Sequence, residues 1–255
     1  MFLVSRGDSL SLFGELVNYS VQLRELQIPE VAISSVKPLA GNCLLRQNQQ
    51  RMKILAVSDQ VVERLYSLSA NGHFQNIEII LGCGDLPFEY LEYLVTMLNA
   101  QMFYVPGNHD PQNETSHAEG GTNLDLKTVR HNKFLIGGFG GSIRYRPDAA
   151  NQYTQSDAYL RAYQLLPRLL LNQIQYGRAL DILITHSPPF GIHDDSDPAH
   201  QGLKAINWLL RIAKPRYLFH GHMHIYKRNL ENTETTIGLT KIINVYPYKE
   251  MEVSH

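Results

Sequence analysis

An α/β fold is what this sequence predicts, on three observations. Short, continuously apolar runs recur from residue 52 onward, helical patterns separate them, and five of the runs lead directly into segments carrying Asp, Asn or His. The runs are 53–58 (KILAVS), 77–81 (IEIIL), 102–105 (MFYV), 134–139 (FLIGGF), 181–185 (DILIT) and 216–220 (RYLFH). None shows the polar alternation of a strand with one wet face, so each reads as a strand buried on both sides. Segments near 225–230, 234–238 and 241–246 alternate more and read as antiparallel strands. Pro87 opens a helix carrying Leu91, Leu94, Val95 and Leu98 at helical spacing. A second helix is expected to bury Tyr159, Tyr163, Leu166, Leu170 and Ile174 on one face, with a kink at Pro167. A third follows Gly202, with Leu203, Ile206, Leu210 and Ala213.

The 255 residues, 44% apolar and 18% charged, suit one large folded domain or two small ones. A formal net charge of −1 and a pI near 6.8 lack the basic excess of a polyanion binder, so specific nucleic-acid binding is not expected. No apolar run approaches the roughly 18 residues of a membrane span, and the first residues lack the pattern of a secretory signal. Cys43 and Cys83 make neither a disulfide framework nor a zinc–thiolate site. A cytoplasmic setting without membrane association is therefore expected. Residues 1–51 carry no sustained period and close on the polar run Arg46–Arg51. They are expected to be an N-terminal extension, poorly ordered or from a misassigned start, ahead of a domain over 52–255. A genuine N-terminal subdomain is the competing reading.

The segments that follow the strands carry the chemistry. Asp59 follows the first, Gly82-Cys83-Gly84-Asp85 the second, and Gly107-Asn108-His109-Asp110 the third. His186-Ser187-Pro188-Pro189 follows the fifth, and the sixth ends in His220-Gly221-His222-Met223-His224. Ligands of α/β sheets bind beyond the carboxyl ends of strands, so these segments are expected to converge on one rim. Asp, Asn and His without thiolate suit Mn, Fe, Zn, Ni or Co. One carboxylate can bridge two such ions, about 3.5–4 Å apart, which then clamp a phosphoryl group around an attacking water. His109, beside Asn108, is placed to act as general acid on the leaving oxygen, and Asp110 to orient its imidazole.

Taken in order and spacing, Asp59, Gly84-Asp85, Gly107-Asn108-His109-Asp110, Thr185-His186 and Gly221-His222-Met223-His224 resemble the calcineurin-like metallophosphoesterase superfamily across 52–246. The resemblance implies two mixed β-sheets stacked as a sandwich with helices on the outer faces. It implies an ion pair bridged by Asp85, with Asn108, His186 and His222 completing one ion's protein ligands and Asp59 and His224 serving the other.

The family's opening Asp-x-His reads Asp59-Gln60-Val61 in this chain, so valine stands where a ligand belongs. The Asp59 ion is left one protein ligand short and is expected to bind more weakly. Gln60, pointing away from Asp59 along an extended segment, is a poor substitute. The loop Gly140–Arg146 offers an arginine and a tyrosine to a substrate phosphate, against a plain solvated loop. His193 is weighed evenly between substrate contact and structure, His220 reads as strand-end packing, and His73, His117, His131, His200 and His255 read as surface or turn residues. The expected function is hydrolysis of phosphomono- or phosphodiester bonds through a metal-activated hydroxide, acting on a small-molecule phosphate ester or nucleotide. The alternative is a non-catalytic scaffold of the same fold that binds a metal or a phosphorylated partner. Oligomeric state is left open.

Overall fold

The computed structural model describes residues 51–111, 117–224 and 233–255. The expected extension lies outside them except for Arg51, which is already the first residue of β1, and so do Cys43 and the strand expected at 225–230.

Two large mixed sheets dominate. The first has β13 (Tyr248–Ser254), β1 (Arg51–Val57), β2 (Ile79–Gly82), β3 (Gln101–Tyr104) and β4 (Gly121–Asn123) in that order. All its neighbours are parallel except β13, which runs antiparallel to β1 along seven residue pairs. The second orders β11 (Glu234–Ile237), β12 (Thr240–Asn244), β10 (Tyr217–His220), β9 (Ile182–Thr185), β6 (Phe134–Phe139) and β5 (Thr128–His131). Its four central strands are parallel, and both edge strands are antiparallel to their neighbours. A short parallel pair, β7 (Ser142–Ile143) with β8 (Gln152–Tyr153), stands apart.

The period of two along each strand divides the side chains between layers. Ile54, Ala56, Ile79, Leu81 and Phe103 of the first sheet share one buried cluster with Ile136, Ile182, Ile184, Phe219 and Ile243 of the second. The alternate residues Leu55, Val57, Ile80 and Met102 face out, under Leu65 of α1 (Glu63–Ala70) and Tyr90, Leu91 and Leu94 of α2 (Phe88–Leu98). Leu135, Leu183, Leu218 and Ile242 face out of the second sheet under α3 (Gln155–Tyr176) and α4 (Lys204–Ala213). The result is a helix–sheet–sheet–helix sandwich in which the central strands are covered twice, which is why they read as continuous apolar runs. Each fully buried Leu or Ile contributes about 1.5–3 kcal/mol of transfer free energy.

One helix differs from expectation. Helix α3 starts in a capping box between Thr154 and Asp157 and stops at Gly177, whose φ of 73° is a left-handed helix end. It buries Ala158, Ala162, Leu165, Leu169 and Asn172, whereas Tyr163, Leu170 and Ile174 are exposed. The predicted face follows the largest apolar side chains, but small alanines are what let a helix lie close on a sheet. Tyr163 still meets Trp208 of α4 edge-on, with ring centroids 4.9 Å apart. Pro167 sits on the exposed side of one unbroken helix, where water can take the carbonyl it leaves without a donor. No helix among the described residues is long and apolar enough to cross a membrane.

Candidate metal centre

Within each sheet the strands that precede the polar segments run parallel, so their carboxyl ends share a rim. Asp59, Asp85, His186 and His222 each bring a donor atom within 4.8 Å of all the others. Three of these four residues stand in the left-handed backbone region, at φ 62° for Asp59, 56° for Asp85 and 64° for His222. Such conformations are costly for residues with a Cβ and concentrate at functional sites. The neighbouring glycines leave room for the turns. A Cβ on Gly221 would lie 2.4 Å from Asp59 Oδ2, and one on Gly107 would lie 2.0 Å from Asp85 Oδ1 and 2.6 Å from the Asp85 backbone nitrogen. Gly107→Ala is accordingly expected to destabilise the fold by about 2–3 kcal/mol, as overpacked sites do. Thermal denaturation measures this, and an unchanged midpoint would contradict the reading.

Hydrogen bonds fix the ring tautomers. His186 Nδ1 lies 2.8 Å from the Cys83 carbonyl oxygen, which only accepts, so Nδ1 carries the hydrogen and Nε2 faces the site. There it meets Asn108 Oδ1 at 2.9 Å, His222 Nδ1 at 3.1 Å and Asp85 Oδ2 at 3.3 Å. His222 in turn donates Nε2–H to the Ala199 carbonyl at 2.8 Å, which leaves its Nδ1 lone pair aimed inward. Asn108 donates from Nδ2 to the Tyr145 hydroxyl at 3.2 Å, directing its Oδ1 inward as well. Lone pairs from a carboxylate, an amide and two imidazoles thus converge. That arrangement is repulsive unless a cation sits among them, and its N/O donor set fits a divalent transition ion.

The electrostatics carry the same message. Burial pushes the Asp85 carboxyl up, but the charge and hydrogen bond of His186, with the His109 amide, bring it down to about 2. Burial lowers His186, yet the charge and hydrogen bond of Asp85, with Asp59 and the Cys83 carbonyl, carry it to about 9. Burial and the neighbouring His186 lower His222 to about 4. Asp59 accepts from the His222 amide at 2.9 Å through Oδ2, while its Oδ1 lies 3.8 Å from Nε2 of His224, an imidazole 44% exposed. Burial raises the Asp59 carboxyl, and the bond to His224 together with the charge of His186 outweighs it, so the group stands below its ordinary value.

The remaining expectations divide. His109 donates its backbone N–H to Asp85 Oδ1 at 2.7 Å, and its side chain lines the cavity beside the donors. No bond from Asp110 to that imidazole is found among the described residues. Asp110 Oδ2 accepts from the backbone N–H of Gly107 at 2.7 Å and of Asp85 at 2.9 Å, tying two ligand turns together. Gln60 is no ligand substitute, because its Oε1 accepts from the Tyr246 hydroxyl at 2.8 Å, and Val61 packs on the apolar cluster under α1 and α2. From the loop after β6, Tyr145 and Arg146 reach the cavity, whereas Arg144 bonds the Gln152 carbonyl and pairs with Asp157. His193 has partners at both ring nitrogens. One ring nitrogen lies 2.9 Å from His220 Nε2 and the other 2.8 Å from Thr235 Oγ1, so His220 is part of a chain of polar contacts rather than plain packing.

His200, read from sequence as a surface or turn residue, stands in a turn and also lines the cavity with Asp59, Asp85, Asn108, His222 and His224. Spacing gives no signal for it, because a loop with no strand or helix period carries it there. The cavity holds about 420 Å³.

The calcineurin-like phosphoesterase family model matches residues 52–226, more than half of the chain. No curated protein sequence matches it. Among solved structures, one of 16% identity matches with a TM-score of 0.56, covering 80% of this chain and 99% of its own. The crystal structure of TT1561 of Thermus thermophilus matches at 18% identity and a TM-score of 0.53, covering 77% of this chain and 89% of its own. At these identities the structures attest the fold alone. With the sequence model spanning every strand that feeds the centre, the chain belongs to the calcineurin-like phosphoesterase family.

Proposed function

We propose that the protein is a metal-dependent phosphoesterase that hydrolyses phosphomono- or phosphodiester bonds of a small molecule or nucleotide. One observation carries the reading: Asp85, Asn108, His186 and His222 aim lone pairs at a common point, with both imidazole tautomers set by carbonyl acceptors. When bound there, a divalent ion supplies Lewis-acid polarisation of a phosphoryl oxygen and of the attacking water. The chain's own groups do the rest. Asp59 and His224 extend the donor set outward, and Tyr145 holds Asn108 in its liganding orientation. The water loses one proton to solvent, its oxygen forms a bond to phosphorus as the ester P–O bond breaks, and His109, on the cavity wall, gives the leaving oxygen a proton. No protein nucleophile is invoked, since electrostatic stabilisation lowers the barrier.

The scaffold reading keeps one specific observation in its favour: neither Val61 nor Gln60 supplies the absent ligand. The deciding experiment strips the protein of metal and reloads it with Mn²⁺, Fe²⁺, Ni²⁺, Zn²⁺, Co²⁺ or Mg²⁺. It then follows hydrolysis of p-nitrophenyl phosphate and bis-p-nitrophenyl phosphate, with Asn108→Ala as control. Metal-dependent turnover lost in the variant is expected. A folded, metal-binding protein without turnover under any ion would favour the scaffold.

A further inference from the structure

The Asp197–His200 pair, in the loop between β9 and α4, is not explained by the metal centre. Asp197 Oδ1 accepts from the backbone N–H of Ala199 at 2.9 Å and of His200 at 3.3 Å, which folds the loop into a turn. Its Oδ2 meets His200 Nδ1 at 2.7 Å. That bond holds the Asp197 carboxyl below the ordinary carboxylate range, as does donation from the Ala199 amide. The same turn presents the Ala199 carbonyl to His222 Nε2, so one loop both sets a ligand's tautomer and delivers a second imidazole. The His200 ring lies 5.4 Å from the His222 ring and on the wall of the cavity. It stands outside the group of converging donors. Its Nε2 has no protein partner among the described residues.

From this juxtaposition we infer that His200 contacts the substrate directly as an imidazolium paired with Asp197, its Nδ1–H held by that carboxylate and its Nε2–H donated to a non-bridging phosphoryl oxygen. The inference rests on the phosphoesterase reading above. A phosphoryl group at the donor cluster lies beside the His222 ring, and His200 is the side chain packed against that ring from the cavity side. Arg146 and Tyr145 are on the same cavity wall, so the phosphate meets donors from two separate loops. These donors offset the nearby carboxylates of Asp59 and Asp85, which otherwise repel an anionic ester. Asp197 fixes the ring edge that faces in, as carboxylates do for other working imidazoles.

The test uses the full chain loaded with Mn²⁺ and titrated calorimetrically with inorganic phosphate, alongside steady-state hydrolysis of bis-p-nitrophenyl phosphate. His200→Ala is expected to weaken phosphate binding about tenfold or more, the scale of one charge-assisted hydrogen bond, with Mn²⁺ stoichiometry unchanged. His200→Gln, which retains a donor at a similar reach, is expected to recover part of the loss. Asp197→Asn keeps the turn through its amide oxygen and is expected to raise KM more than it lowers kcat. Unchanged phosphate affinity in His200→Ala would overturn the inference while leaving the phosphoesterase reading standing. Loss of Mn²⁺ from that variant would also overturn it, by making His200 a metal ligand. Wild-type protein that neither binds phosphate nor turns over would remove both readings together.

Discussion

Asp85→Asn is expected to abolish Mn²⁺-dependent hydrolysis of bis-p-nitrophenyl phosphate, lowering kcat by at least about a thousandfold, while the protein stays folded. The substitution is chosen because it separates charge from architecture. Asp85 Oδ1 accepts the His109 backbone N–H at 2.7 Å, and an asparagine oxygen in the same place keeps that bond and the turn it closes. What disappears is the negative charge that His186, at 3.3 Å, draws down to a pKa of about 2. A neutral amide at the junction of Asp59, His186 and His222 no longer balances a divalent cation. Loss of about 4 kcal/mol of transition-state stabilisation corresponds to roughly three decades in rate. The measurement pairs the assay with metal content and a melting curve. Retained activity would exclude Asp85 from the reacting centre, and an unfolded variant would show instead that its charge is needed to fold the rim.

Much of the framework that holds this centre is legible in the sequence, for a physical reason. Strands covered on both faces have no polar side, so β6 and the strands around it stand out as unbroken apolar runs. What escapes is what carries no such uniformity. Strands β5 and β13 lie at sheet edges, where Thr128, Arg130, Glu250 and Glu252 face partly into solvent and mute the signal. The inward face of α3 escapes because alanine contributes close approach rather than hydrophobicity.

At the centre itself, the order of Asp, Asn and His after successive strands announces convergence, yet the conformations that achieve it are silent. Nothing in the side chains of Asp59, Asp85 or His222 advertises a positive φ, and only the glycines beside them hint at crowding. Asp110 shows how neighbouring residues mislead. Adjacency pairs it with the His109 ring, but a turn presents backbone amides to it first. His200 reaches the cavity wall through a loop whose path no period in the sequence encodes.

Titration of the metal-stripped protein with Mn²⁺ is expected to resolve two unequal steps, the weaker by about 10- to 100-fold, the loss that accompanies an impaired coordination shell. The tighter step belongs to the point where Asp85, Asn108, His186 and His222 converge, since every one of those donors is oriented by a further hydrogen bond or burial. The weaker belongs to Asp59 and His224. Its imidazole is 44% exposed and 3.8 Å from the carboxylate, and rests against the Tyr246 ring at 4.5 Å between centroids. The loop after β1 offers no repair. Tyr246 holds the Gln60 amide, and Val61 contributes its side chain to the outer apolar cluster rather than to the rim. His224→Ala is therefore expected to erase the weak step and leave the tight one, whereas Asn108→Ala is expected to weaken the tight one. Hydrolysis that saturates with the first equivalent of Mn²⁺ would make a single ion sufficient. Hydrolysis that follows the second step would assign the attacking water to the exposed side of the centre, where Asp59 and His224 face the cavity. Two steps of equal affinity in the wild type would refute the asymmetry and require a ligand for the Asp59 side beyond those the described residues provide.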